Sequence, residues 1–96
     1  MPNANYRAGA RLERLWIAQK RAQGYKVIRS AGSHGLIDCM AWNENEIIMA
    51  QLKNGKAAYN DDDIADLLEM PRPPSARVLL VVRSVTAHTD WDEIEC

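Results

Sequence analysis

Along the first quarter of the chain, Leu12, Leu15, Trp16 and the Gln19/Ala22 positions recur at i, i+3, i+4 spacing, which predicts a helix over Tyr6–Gln23. Asn3 or Asn5 suits its start, and Gly24 stands where a helix must end. Tyr25–Arg29 alternates as a short strand and is followed by a small-residue loop, Ser30-Ala31-Gly32-Ser33-His34-Gly35. Leu36–Trp42 is an almost unbroken apolar strand, Asn43–Glu46 a turn, and Ile47–Lys53 a third strand pairing antiparallel with the second. Asp61-Asp62-Asp63 opens a second helix, with acids at its positive end, that runs to about Glu69; Pro71, Pro73 and Pro74 stop it. Val78–Val82 is a strand of the fully buried type. The order αβββαβ predicts a mixed central sheet flanked by helices, with the fourth strand parallel to the third across the helical crossover.

Ninety-six residues make one domain, 1–96, with its core over about 5–83 and an acidic tail at 84–96. A chain that is 47% hydrophobic and 26% charged is not wholesale disordered, and no apolar run reaches the ~20 residues of a membrane span. Cys39, Cys96, His34 and His88 have neither disulfide-framework nor zinc-finger spacing. Free thiols and the absence of a leader pattern predict a soluble, intracellular chain. Net charge is −1, but residues 1–56 hold nine Lys/Arg against four acids, while residues 57–96 hold three against nine. The basic half can form a local footprint for phosphates, or simply be a solvated helix surface. There is no glycine-rich nucleotide motif, so no nucleotide cofactor is expected.

One residue stands out against the apolar pattern. Asp38 lies inside an apolar strand, where a carboxylate is costly unless it is paired or binds a cation. With the turn at 43–46, positions whose numbers sum to about 89 lie opposite each other, which places Gln51 across from Asp38. Lys53, two residues on, shares the face of Gln51. Two readings fit this cluster. In one, Asp38 anchors a divalent metal with the Gln51 amide oxygen and the Leu52 carbonyl, and Lys53 stabilises charge on a phosphate. In the other, Asp38 and Lys53 form a buried ion pair with a satisfying glutamine.

The stretch Val27-Ile28-Arg29-Ser30-Ala31-Gly32-Ser33-His34-Gly35-Leu36-Ile37-Asp38, followed by Gln51-Leu52-Lys53, resembles the archaeal-type Holliday junction resolvases and their phage relatives, of the PD-(D/E)XK nuclease superfamily. Tyr6-Arg7-x-Gly9-x-x-x-Glu13 resembles their first-helix motif, and the likeness extends over about residues 5–83. It implies a restriction-endonuclease-like core with Glu13, Asp38, Gln51 and Lys53 catalytic, and a Mg²⁺ (or substituting Mn²⁺) held by Glu13, Asp38, Gln51 and Leu52. Arg7 and Arg29 become candidate phosphate clamps. Ser30, Ser33 and His34 become loop contacts to DNA, and Lys56 a source of non-specific attraction. The sequence departs from the motif at Gln51, where the superfamily most often has Glu, and at Ile37, where its name has proline.

The activity the resemblance implies is metal-dependent hydrolysis of branched DNA, four-way junctions, as paired symmetric nicks leaving 5′-phosphate and 3′-hydroxyl ends. One small domain cannot reach two opposed strands at once, so a C₂ homodimer is expected. The expected setting is the cytoplasm of a bacterial or archaeal host, or of one carrying a phage that encodes the chain. A nuclease of the same superfamily acting on duplex DNA or DNA ends, and a silent junction-binding module, are the alternatives. Trp16, Trp42 and Trp91 are read as core, with one of them or the 78–82 strand available for a dimer interface.

Overall fold

The computed structural model describes residues 4–30, 36–53, 61–83 and 91–96. Helix α1 (Ala4–Ala22) is followed by β1 (Lys26–Arg29), β2 (Cys39–Trp42), β3 (Ile47–Lys53), α2 (Asp61–Glu69), β4 (Ala76–Arg83) and β5 (Trp91–Glu95). The sheet runs β1-β2-β3-β4-β5 in space, as in sequence. Every neighbouring pair is antiparallel except β3 and β4, which are parallel and joined through α2. This mixed α/β sheet with two helices is compatible with a restriction-endonuclease-like core.

Local chemistry sets the boundaries. Gly24 has a φ of 96°, a conformation that glycine adopts without the penalty a Cβ imposes. There the Tyr25 N–H bonds the Lys20 carbonyl at 3.0 Å and the Gly24 N–H bonds that of Arg21 at 3.0 Å, the paired bonds of a Schellman stop. At the hairpin the Asn43 side chain accepts from the N–H groups of Asn45 (2.8 Å) and Glu46 (2.9 Å). That turn sets the register: Cys39 faces Ala50 and Trp42 faces Ile47, so opposed numbers sum to 89, as expected. The second strand is shorter than expected, because Leu36–Asp38 leaves the ladder before Cys39.

The two sheet faces carry separate cores. Trp16 of α1 is fully buried against Val27, Cys39, Ala41, Ile48, Ala50, Leu79 and Val81. On the opposite face Leu67 of α2 packs on Val78, Leu80 and Val82. The 78–82 segment is thus covered on both faces and flanked by β3 and β5, which removes it as a dimer surface. Trp42 and Trp91 are half-buried, Trp91 against the α1-side core. Within the stretch read from sequence as an acidic tail, residues 91–95 form an edge strand antiparallel to β4.

Glu93 explains how an acidic strand is held there. It accepts from the Trp16 indole N–H at 2.7 Å and from Lys20 Nζ at 3.3 Å. Lys20 is only 6% exposed and lies 5.4 Å from the Trp16 ring centroid. Removing Glu93 therefore strands a buried indole donor and a buried ammonium. Glu93→Ala is expected to destabilise the fold by about 1–3 kcal/mol, since a buried unpaired donor costs that much. Urea unfolding measures this, and Glu93→Gln, which keeps one acceptor, should recover part of the loss.

Candidate active site

The candidate residues converge at the end of the sheet where β2 begins and β1 and β3 end. Asp38 is pinned there by three hydrogen bonds. Its carbonyl accepts from the Ser30 N–H at 2.8 Å, and its N–H donates to the Ala50 carbonyl at 2.9 Å. Its Oδ2 accepts from the Leu52 N–H at 2.9 Å. The carboxylate thus takes the place of the next backbone acceptor once the β2–β3 ladder has ended. The Leu52 carbonyl points to the same side of its strand as the Leu52 N–H, towards Asp38.

Gln51 lies between the two β3 residues that Asp38 bonds. It is 7% exposed, and its Oε1 is buried with no hydrogen-bond partner among the described residues. Buried acceptors are almost always paired, so an amide oxygen without a protein partner at a sheet end has room to accept from a water or to meet an ion. Gln51 and Lys53 lie on the α2 side of β3, and Lys53 makes its ion pair with Asp63 of α2, at 3.9 Å. A buried Asp38–Lys53 pair is not what forms, although the Lys53 charge still favours ionised Asp38.

Glu13 reaches the site from α1. Leu12 and Trp16 face the core while Glu13, on a different side of the helix, stays partly exposed. Its Oε2 lies 3.6 Å from Arg29 Nε. Burial holds the Glu13 carboxyl above its ordinary range; Arg29 opposes that shift and the Asp38 charge adds to it. Burial likewise raises Asp38, against the Leu52 N–H and Lys53, which lower it. Cys39, beside both carboxylates, is a buried thiol pushed up to about 12, first by desolvation and then by Glu13 and Asp38. It stays neutral and is a poor ligand or nucleophile.

The oxygens offered at this end of the sheet are two desolvated carboxylates, a neutral amide oxygen and a backbone carbonyl. Among the described residues no three His, Cys, Asp or Glu side chains form a metal cluster. Hard oxygens with few carboxylates, leaving positions for waters and a phosphate, are the set that suits Mg²⁺. The orphan Oε1 of Gln51 fits that group.

Of the DNA-contact candidates, Arg29 is half-exposed at the rim of the site and Ser30 is exposed beside it. Arg7 is on α1, but its side chain lies outside the described residues, as do Ser33, His34 and Lys56. Sequence reasoning missed the partners of two residues it had singled out: Arg29 is paired with Glu13, and Lys53 with Asp63. The acidic run at 61–63 was legible as a helix start, but not as a contact to β3.

The folded chain holds protons on Glu13 and Asp38 to higher pH than the unfolded chain does. Their contribution to stability is therefore complete below the ordinary carboxylate range and is lost as pH rises through the raised values. Asp38→Asn keeps an acceptor for the Leu52 N–H without the charge. In EDTA at neutral pH it should be at least as stable as the parent, with a shallower fall in stability above about pH 4, as read by denaturant midpoints. Lys53→Ala should cost only about 0.2–1 kcal/mol, the range of partly exposed pairs; a loss of several kcal/mol in the same titrations would restore the buried-pair reading.

Compared with models of known protein families, the chain matches the one described as archaeal Holliday junction resolvase (hjc), over residues 4–95. The match takes in Glu13, Asp38, Gln51 and Lys53, and extends through β5.

Proposed function

The chain belongs to the archaeal Holliday junction resolvase family, and from that premise we propose that it cuts four-way DNA junctions by metal-dependent phosphodiester hydrolysis, as paired symmetric nicks made by a C₂ homodimer. The observation that carries the reading is the buried, unpartnered Oε1 of Gln51 beside the desolvated, three-way-pinned Asp38. Glu13, Asp38, Gln51 Oε1 and the Leu52 carbonyl would hold a divalent cation, Mg²⁺ or Mn²⁺. When bound, it would polarise a phosphoryl oxygen and lower the pKa of a water.

The roles of the chain's own groups follow from their surroundings. The hydrogen bond from Leu52 fixes the direction of one Asp38 oxygen, so the other is free to bind. A cation held there would favour the ionised forms of Glu13 and Asp38. Lys53, held towards the site by Asp63, supplies positive charge where a phosphoryl group gains negative charge during in-line displacement. Arg29, already facing Glu13, can exchange that partial contact for a bidentate grip on a phosphate. Arg7, Ser30, Ser33, His34 and Lys56 remain proposed DNA contacts around this centre. No nucleotide cofactor is required by this chemistry. Among the described residues no helix is long and apolar enough to cross a membrane, and we place the chain with DNA in the cytoplasm.

The test is incubation with a labelled immobile four-way junction, in Mg²⁺ and in EDTA, with matched duplex alongside. Paired nicks across the junction, dependent on Mg²⁺ and absent in Asp38→Asn, are expected. Equal cutting of duplex would instead indicate a general nuclease, and tight junction binding without cuts a silent module. Gln51→Glu should retain cleavage and need less Mg²⁺, because a carboxylate is the stronger hard ligand.

A further inference from the structure

Beside the site runs a groove of which the proposed chemistry uses only Arg29. It lies between the outer side of α1 and β1, the strand at one edge of the sheet. Ile17 and Val27 form part of its floor, and Arg14, Arg21 and Arg29 line it. Arg29 is the residue paired with Glu13, so the groove shares a lining residue with the candidate active site. Arg14 and Arg21 are exposed, and neither has an acidic partner within 4 Å among the described residues. Glu13 is the only acid on α1.

An ordinary solvated helix would explain one such arginine. Arg21, in the last turn of α1, also complements the helix dipole, but Arg14, in mid-helix, does not. The two are seven residues apart and so on one face, separated by about 10.5 Å along the axis. That spans about three nucleotides at the ~3.4 Å rise of one DNA strand. Guanidinium groups at that spacing beside a partly exposed apolar side chain match a sugar–phosphate backbone: arginines to the phosphate oxygens, Ile17 to a deoxyribose face.

We propose that the α1–β1 groove holds the DNA strand next to the scissile phosphate, gripping its backbone through Arg14 and Arg21 without reading bases. This rests on the nuclease reading above. The other occupants of suitable charge are acidic surfaces of a second copy, the β5 edge and the exposed acids of α2. At the β5 edge Glu93 and Glu95 are engaged within their own chain, by Trp16 and Lys20 and by Arg77. The exposed α2 acids lack the fixed linear phosphate spacing that Arg14 and Arg21 match.

The experiment measures junction affinity against salt in the cleavage-dead Asp38→Asn parent, with Arg14→Gln/Arg21→Gln and Arg14→Lys/Arg21→Lys added to it. The glutamine pair should weaken binding by about tenfold or more at moderate salt and reduce the slope of log K on log salt by about 2, one for each lost phosphate contact. The lysine pair should keep most of the slope. With Asp38 restored, the glutamine pair should lose most cleavage at low junction concentration and recover it as the concentration rises, the pattern of lost binding rather than lost chemistry. Unchanged affinity and slope, in a parent that does bind junction, would overturn the groove and leave the nuclease reading intact. A parent that binds no branched DNA would overturn both. A change of oligomeric size on gel filtration in the glutamine pair would assign the groove to a second copy and overturn it as a DNA track.

Discussion

The register of the β2–β3 hairpin is the constraint on which the rest depends. Asn43 closes the turn by accepting two backbone N–H groups, and the ladder that follows sets Cys39 against Ala50. One position further, Asp38 has left the ladder and puts its carboxylate where a backbone carbonyl would otherwise meet Leu52. A slip of one residue would invert the faces of the strand. Ile48 and Ala50 would leave the α1-side core, Gln51 and Lys53 would enter it, and Asp38 would no longer be flanked by its two β3 partners. The same register that packs the core therefore assembles the site.

That site is held at a cost to the free protein. Glu13 and Asp38 are both desolvated, with their carboxyls raised by burial, and Gln51 keeps an amide oxygen buried without a partner. A sequence selected only for stability would place apolar or fully paired groups here. Compensation comes from elsewhere: two apolar layers on opposite faces of the sheet, and the Trp16–Lys20–Glu93 contact that ties the helix to the last strand. Local strain of this kind is characteristic of places where a ligand completes the set of interactions.

Much of this was legible in the chain because the signals were local. A turn rich in Asn and Glu between two apolar runs fixes a hairpin, and Gly24 fixes a helix end. The sum of 89 holds from Trp42–Ile47 to Cys39–Ala50, beyond which Asp38 bonds the residues on either side of Gln51. Lone polarity in an apolar strand marked Asp38 without any structure. What escaped depends on distant partners. Trp91–Glu95 reads as tail because three of its five residues are acids, and only the Trp16 indole and the buried Lys20, 73 or more positions away, make Glu93 a structural residue. The pairings of Glu13 with Arg29 and of Lys53 with Asp63 likewise join elements whose neighbourhood no spacing rule encodes. Leu36–Asp38 left the strand early because its apolar side chains pack beside α2 and its carboxylate ends the ladder.

The central claim is that these oxygens form a cation site, and direct metal binding tests it without relying on DNA. Mn²⁺ titrated into the metal-free protein at neutral pH, followed by the loss of the free-ion EPR signal, should show one saturable site per chain. Gln51→Met, which removes the orphan oxygen at nearly constant volume, should weaken that site and leave the fold intact or more stable. No saturable binding to the wild-type chain, or binding indifferent to Gln51, would contradict the account.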